Sequence, residues 1–270
     1  MIPKVIHYCW FGGNSIPEKD KKCIESWRKY CPDYEIKEWN ESNYDINKNQ
    51  YMSDAYKEKK WGFVPDYARF DIIYNEGGFY LDTDVELVKS LDELIENKAY
   101  MGFECDCFVN GGIGFGAEGK NIVIKELRDM YDNLSFYNDD GTVNLKPSPQ
   151  YITEFFGKKG LIRNNKMQNI DNTTIYPMEY FSAKDYYTGD INITKNTISI
   201  HHYNMSWVDS NIKKFHNIEQ KLAKKFGIKI AKKIIKIYSF PYRVSKRIKQ
   251  DGFIGTIKFA ITKLFKPVKK

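Results

Sequence analysis

The chain has 270 residues, with 42 Lys and Arg against 35 Asp and Glu, and 16% of its residues are aromatic, 20 of them Tyr. That is enough for one sizeable catalytic domain plus an appendage, and no apolar run approaches the roughly 20 residues that a membrane-spanning helix needs. The net charge of +7 hides two objects: residues 211–270 hold 18 basic and 2 acidic side chains, net +16, whereas residues 1–210 hold 24 and 33, net −9.

The five cysteines, Cys9, Cys23, Cys31, Cys105 and Cys107, are odd in number. With no signal-peptide pattern they lead us to expect a reducing cytosol. Cys105 and Cys107 stand too close together and too alone for a zinc site. There is no internal repeat and no low-complexity linker.

In chain order, Ile2 to Phe11 reads as a buried first strand, ended by a Gly12-Gly13 turn. A helix follows from Pro17 to about Tyr30, with Cys23, Ile24 and Trp27 as its inner stripe. Tyr34 to Trp39 reads as a second strand. Strand, helix, strand at the start of a chain looks like an α/β nucleotide-binding layer. In such sheets the ligand sits beyond the carboxyl ends of the strands, which places Tyr8, Trp10 and Gly12 near a nucleotide. Residues 40–63 are polar, with a short helix expected around Met52 to Lys60.

The next stretch, residues 66–84, carries the strongest pattern. Asp66 and Arg69 are three apart on a helix and share one face. Gly77-Gly78 stops that helix, because glycine takes a left-handed cap at little steric cost. Phe79-Tyr80-Leu81 is a short strand that delivers Asp82 and Asp84 at its end. Strand alternation puts the two carboxylates on one side, about 7 Å apart by Cα. Such a pair suits a hard divalent cation, Mn²⁺ or Mg²⁺, held between protein and phosphate oxygens.

Val85 to Leu87 continues as a strand, and Ser90 is expected to cap a helix to about Asn97 with Leu91, Leu94 and Ile95 inward. Tyr100 to Glu104 is a strand. The glycine-rich run Val109 to Gly116 lacks the Gly-Lys-Ser/Thr of a phosphate loop. Asn121 to about Asn133 is a helix, 135–149 a polar loop that could shape an acceptor pocket, and Tyr151 to Phe156 a further helix. Ile175 to Pro177 and Tyr180-Phe181 read as short strands. The apolar strand within 197–209 ends in His201-His202, followed by Ser206-Trp207. A neutral imidazole here is a reasonable partner for manganese; His202 is favoured weakly over His201. Trp207 could donate its indole N–H to a phosphate oxygen.

From Asn211 the chemistry changes. Ile212, Phe215, Ile218, Leu222, Phe226, Ile230 and Ile234 form one apolar stripe on a lysine-covered helix, which Pro241 breaks. A second amphipathic piece carries Phe253, Ile257, Ile261 and Leu264. Basic helices with an apolar face suit an anionic membrane surface; a helix packed on the body is the alternative. No nucleic-acid motif appears, so no nucleic-acid partner is expected.

The assembled pattern of Asp66, Arg69, Gly77-Gly78, Tyr80, Asp82 and Asp84, with the first strand and the His segment, resembles glycosyltransferase family 32, the group with the glycosyltransferase sugar-binding region containing a DXD motif. That family includes yeast initiating mannosyltransferases and bacterial capsular polysaccharide transferases, and large clostridial glucosylating toxins share its core pattern. The resemblance covers about residues 1–210 and implies an α/β fold of GT-A type, a mixed central sheet flanked by helices, with the basic tail 211–270 outside it.

It implies a metal-dependent, retaining transfer from a nucleotide-diphosphate sugar to a saccharide or lipid-linked saccharide, in bacterial surface polysaccharide synthesis. Asp84, with His202 or His201, would hold the cation. Asp82 would contact the donor ribose, the sugar, or the metal through water. Asp66 and Arg69 would orient the donor sugar, and Gly78 and Tyr80 shape its pocket. Tyr8, Trp10 and Gly12 would meet the base and Asn110 a sugar; Ser206 and Trp207 would approach the diphosphate. No nucleophile is assignable, so a front-face displacement is expected, on the inner face of a membrane. The rival expectations are a non-catalytic sugar- or lipid-binding protein on the same fold, and a toxin-like protein glucosyltransferase.

Overall fold

The computed structural model describes residues 1–205 and 208–248, together with 252 and 255. It divides into two compact units, one of residues 1–186 and 190–207, the other of 187–189 and 208–270.

The elements of the first unit are β1 (Val5–Cys9), α1 (Glu18–Tyr30), β2 (Glu35–Trp39), α2 (Gln50–Lys57), α3 (Pro65–Glu76), β3 (Gly78–Tyr80), β4 (Val85–Leu87), β5 (Ala99–Glu104), β6 (Phe108–Asn110), β7 (Phe115–Ala117), α4 (Ile122–Met130), α5 (Ser148–Gly157), β8 (Gln168–Ile170), β9 (Thr173–Tyr176), α6 (Met178–Phe181) and β10 (Ser199–His201). The main sheet runs β2-β1-β3-β7-β5-β9-β8, with β6 on β5. β2, β1 and β3 are parallel, as are β5 and β9; the β7, β6 and β8 pairings are antiparallel. This is the mixed, helix-flanked sheet of the GT-A expectation.

Alternation along the strands feeds two cores. Tyr80, Met101 and Phe115 join one cluster with Phe70 of α3, Ile124 of α4 and Phe156 of α5. Phe79, Leu81 and Tyr100 face the other, with Trp27 of α1 and Phe181 of α6. Truncating a buried aromatic such as Phe79 to alanine costs about 3–5 kcal/mol, so these layers fix the sheet on which the site stands.

One edge of β5 is shared. Its first half pairs with β7 and its second half with β6. The chain between them, 111–114, passes beside the carboxyl end of β3, where Gly112 O accepts from Asp82 N at 3.1 Å. A separate two-stranded ladder, β10 on β4, stands beyond that point, with His201 opposite Val85.

Several local expectations change. β3 stops at Tyr80, and Asp82-Thr83-Asp84 forms a turn closed by Val85 N donating to Asp82 O at 3.0 Å. Strand alternation therefore does not govern the two acids. The helix expected after Ser90 is a single 3₁₀ turn, Leu91–Leu94, still capped by the Ser90 hydroxyl. Tyr180-Phe181 is helical rather than extended, because Pro177 supplies an extended N-cap for α6. The helix placed at Tyr151 starts at Ser148, with Pro149 in its first turn.

In the second unit the long helix expected from Ile212 through Ile234 is two, α7 (Ser210–Phe226) and α8 (Ile228–Tyr238). Gly227 divides them at φ +82°, a left-handed value that glycine takes without penalty. Helix α8 ends at Tyr238, just before Pro241, which lies near the start of helical residues 240–248. The amphipathic piece with Phe253, Ile257, Ile261 and Leu264 lies outside the described residues. Among the described residues no helix is long and apolar enough to cross a membrane.

Candidate active site

Helix α3 delivers the first half of the site. Asp66 and Arg69 are both buried, with Asp66 Oδ1 3.2 Å from Arg69 Nη2. Arg69 Nε donates to Pro65 O at 3.2 Å, and the guanidinium lies 5.1 Å from the Tyr80 ring centroid. Its Nη2 also reaches Asp82 Oδ1 at 3.6 Å. Arg69 thus spans a sealed acid and a half-exposed one. Burial pushes the Asp66 carboxyl up, to about 7, against the pull of Arg69. Burial also raises Asp82, opposed by the same guanidinium.

Gly77 ends α3 at φ +70° and lets the chain turn directly into β3. Gly78 sits tight against β1: a side-chain carbon there would come within 2.7 Å of Val5 O. Its part is close backbone packing between strands. Beside Asp82 the critical glycine is Gly112. A Cβ on it would fall 2.2 Å from Asp82 Oδ2 and 3.3 Å from Arg69 Nη1. Asn110 holds that approach in place. Its amide donates to Glu104 Oε2 at 2.9 Å and its oxygen accepts from Gly112 N at 2.7 Å. Both ends of Asn110 are thus engaged in the turn, and the residue is buried.

Asp84 begins the second half. Its Oδ1 lies 3.3 Å from His201 Nε2, and its Oδ2 accepts from Asn204 N at 2.8 Å. Burial pushes this carboxyl up, but the imidazole and that N–H outweigh it, and the net shift is down. His201 is raised in turn: burial lowers it, and the fields of Asp84, Glu104 and Asp82 prevail. The ring of Tyr203 lies against His201, centroids 4.1 Å apart. It is His201, and not the weakly favoured His202, that stands beside Asp84. Ladder register puts His202 on the opposite side from His201, and its Nε2 pairs with Glu86 Oε2 at 2.7 Å. Ser206 and Trp207 lie outside the described residues.

Asp20, Asn204 and Lys184, which sequence reasoning passed over, brace the second half. Asp20, buried in the first turn of α1, accepts from Thr83 Oγ1 at 3.0 Å and from Asn204 Nδ2 at 2.8 Å. The residue between the two acids and the residue that clamps Asp84 therefore share one carboxylate. Lys184 is the third. Its Nζ donates to His202 O at 2.7 Å, in the field of Asp84.

At the end of β1 the expectations change in detail. Tyr8 is a core residue whose hydroxyl donates to Glu38 Oε2 at 2.7 Å. Trp10 is part-exposed, with Nε1 donating to Asn14 O at 2.6 Å. Gly12 carries the face of Trp61, whose ring a Cβ would meet at 2.9 Å. Trp61 is thus the aromatic nearest the Gly12 turn, and an isolated tryptophan in the polar stretch 40–63 was the signal for it.

The donor chemistry here, two carboxylates and an imidazole, fits Mn²⁺ or Mg²⁺. Among the described residues no three such side chains close into a cage. The buried Nδ1 of His201 has no hydrogen-bond partner, so the ring is held by its acid neighbour and by packing.

Residues 17–101 match the model of the family described as "Glycosyltransferase sugar-binding region containing DXD motif". The resemblance read from the sequence is therefore borne out: this chain carries such a region. Among similar proteins is inositol phosphoceramide mannosyltransferase 3 of Schizosaccharomyces pombe, 30% identical over 141 residues, covering 48% of this chain and 37% of that protein. Another is the uncharacterized glycosyltransferase L373 of Acanthamoeba polyphaga mimivirus, 25% identical over 180 residues, covering 64% of this chain and 61% of that protein. The chain thus spans between 37% and 61% of these relatives' lengths. Among solved structures, a glycosyltransferase involved in glycosylation of the major capsid of PBCV-1 aligns at TM-score 0.44 and 12% identity, over 80% of this chain and 99% of that one. The galactosyltransferase LgtC, in complex with donor and acceptor sugar analogues, aligns at 0.41 and 13%, over 82% and 95%.

Proposed function

We propose that this chain is a metal-dependent glycosyltransferase, moving a sugar from a nucleotide-diphosphate donor to a saccharide or lipid-linked saccharide acceptor with retention of configuration, in bacterial surface polysaccharide synthesis. The observation that carries the reading is the meeting of two clusters across one turn: Asp66, Arg69 and Asp82 on one side, Asp84 and His201 on the other. Asp84, with His201 beside it, would hold Mn²⁺ or Mg²⁺, and Asp82 would reach the cation through water or contact the donor; the cation would supply positive charge to the departing diphosphate.

The chain's own residues do the rest. Arg69, fixed by Asp66 and by the Tyr80 ring, offers its remaining N–H groups to donor hydroxyls or phosphate. Gly112 leaves room for the Asp82 carboxylate to face the sugar. Asn204 and Asp20 hold Asp84 in its rotamer before substrate arrives, which is preorganisation of the kind that lowers a barrier. In a front-face displacement the bond from the anomeric carbon to the diphosphate oxygen breaks. The acceptor oxygen bonds the same carbon from the same face, and its proton passes to the departing phosphate oxygen.

The test is a screen of nucleotide sugars for release of nucleoside diphosphate, with Mn²⁺, with Mg²⁺ and with EDTA. A chelator-sensitive release from one donor supports the reading. Release from none, or a rate that EDTA leaves unchanged, would refute it. A non-catalytic binding protein on this fold would bind donor without release.

A further inference from the structure

We infer that the second unit docks on an anionic lipid bilayer through an exposed isoleucine stripe on α8. This goes beyond the transfer reaction and does not depend on it. The sequence alone showed one apolar stripe; the break at Gly227 creates a second. Helix α8 packs against α7, burying Ala231, half-burying Ile235 and setting Tyr238 edge-on to Phe215, centroids 5.8 Å apart. That contact uses one face. At about 100° per residue, Ile230, Ile234 and Ile237 fall on another, at the i, i+4, i+7 spacing of one stripe. They are 50%, 39% and 76% exposed. Lys229, Lys233 and Lys236 project along the stripe's other flank. Phe240, at the head of the next helical segment, is 59% exposed.

Charge decides what covers the stripe. Residues 208–248 carry 12 Lys and Arg against 2 Asp and Glu, net +10. A second copy of this unit would bring an equal positive field against it. The remaining stretch, 249–270, holds 6 basic side chains and 1 acidic one, so it too is a like-charged occupant. An isoleucine row seeks apolar cover, and the lysines beside it seek anions. A bilayer with anionic headgroups supplies both, the acyl region to the isoleucines and the phosphates to the ammonium groups.

The experiment uses the full chain and vesicles of phosphatidylcholine, alone or with about a third phosphatidylglycerol, read by co-sedimentation. The wild-type chain should bind the anionic vesicles and not the neutral ones, and salt should weaken the binding. Changing Lys229, Lys233 and Lys236 to Gln together should weaken it about a hundredfold, taking roughly fivefold per charge. The variant Ile230→Ser, Ile234→Ser, Ile237→Ser should lose it while keeping the wild-type circular dichroism and the turnover of soluble donor. The inference is overturned if the wild type ignores anionic vesicles, or if the serine variant binds as the wild type does. It is equally overturned if sedimentation shows a dimer that the serine variant abolishes, or if vesicles bind only after residues 249–270 are removed.

Discussion

Gly112→Ala puts one methyl group against the heart of the proposed site. Its carbon would lie 2.2 Å from Asp82 Oδ2, and ordinary contact begins at 3.4 Å, so the oxygen must retreat by the difference, about 1.2 Å. The same carbon sits 3.3 Å from Arg69 Nη1, so the guanidinium is crowded too. Gly112 is not among the glycines with positive φ, so alanine meets no backbone strain. The Asp82 side chain is 31% exposed and can swing outward, so the fold should tolerate the change. A displacement of about 1 Å at reacting groups costs on the order of a hundredfold, or about 2.7 kcal/mol of transition-state stabilisation. Donor turnover by Gly112→Ala should therefore fall about a hundredfold, with near-ultraviolet circular dichroism unchanged. Turnover within about threefold of wild type would show that Asp82 stands away from the chemistry.

Asp20→Asn leaves one acceptor where two donors, from Thr83 and Asn204, now bind. The charge-assisted character of those two bonds is then lost, at about 1.5–3 kcal/mol, and thermal melting should fall accordingly. Adding Thr83→Val should cost less in that background than in the wild type; equal costs would mean the two residues are uncoupled. His7 sets a pH dependence. Its Nδ1 accepts from Trp39 Nε1 at 3.1 Å, which leaves Nε2 to donate to Gly77 O at 3.0 Å. Burial lowers its pKa to about 4, below the unfolded value of about 6.5. The unfolded chain then binds more protons between these values, so stability falls as pH drops from about 6.5 to 4, by on the order of 3 kcal/mol from this group. Urea midpoints across that range should slope less for His7→Asn; an identical slope would contradict the assignment.

What the sequence made legible was local. Asp66 and Arg69 pair because they are three apart on one helix, and Gly77 caps because of its own backbone. What it hid depended on distant partners. Nothing near His201 says that it faces Asp84 while His202 faces Glu86; the register of β10 on β4 decides it. Asp20 read as one more polar residue in a first helical turn, and its partners lie 63 and 184 positions away. Gly112 was one glycine in a rich run, and its necessity appears only when β3 brings Asp82 beside it. Gly227 was overlooked because the apolar spacing continues across it, although its φ of +82° ends the helix.

The most direct measurement is metal-dependent donor turnover in Asp84→Asn. The amide keeps an oxygen for Asn204 N–H and removes only the negative charge beside His201, so the chain should stay folded. We predict that release of nucleoside diphosphate with Mn²⁺ falls at least a hundredfold, the size of effect seen when one stabilising group is removed from a preorganised site. Undiminished release by the folded variant, with Mn²⁺ present, would contradict the assignment of this acid to the reacting centre.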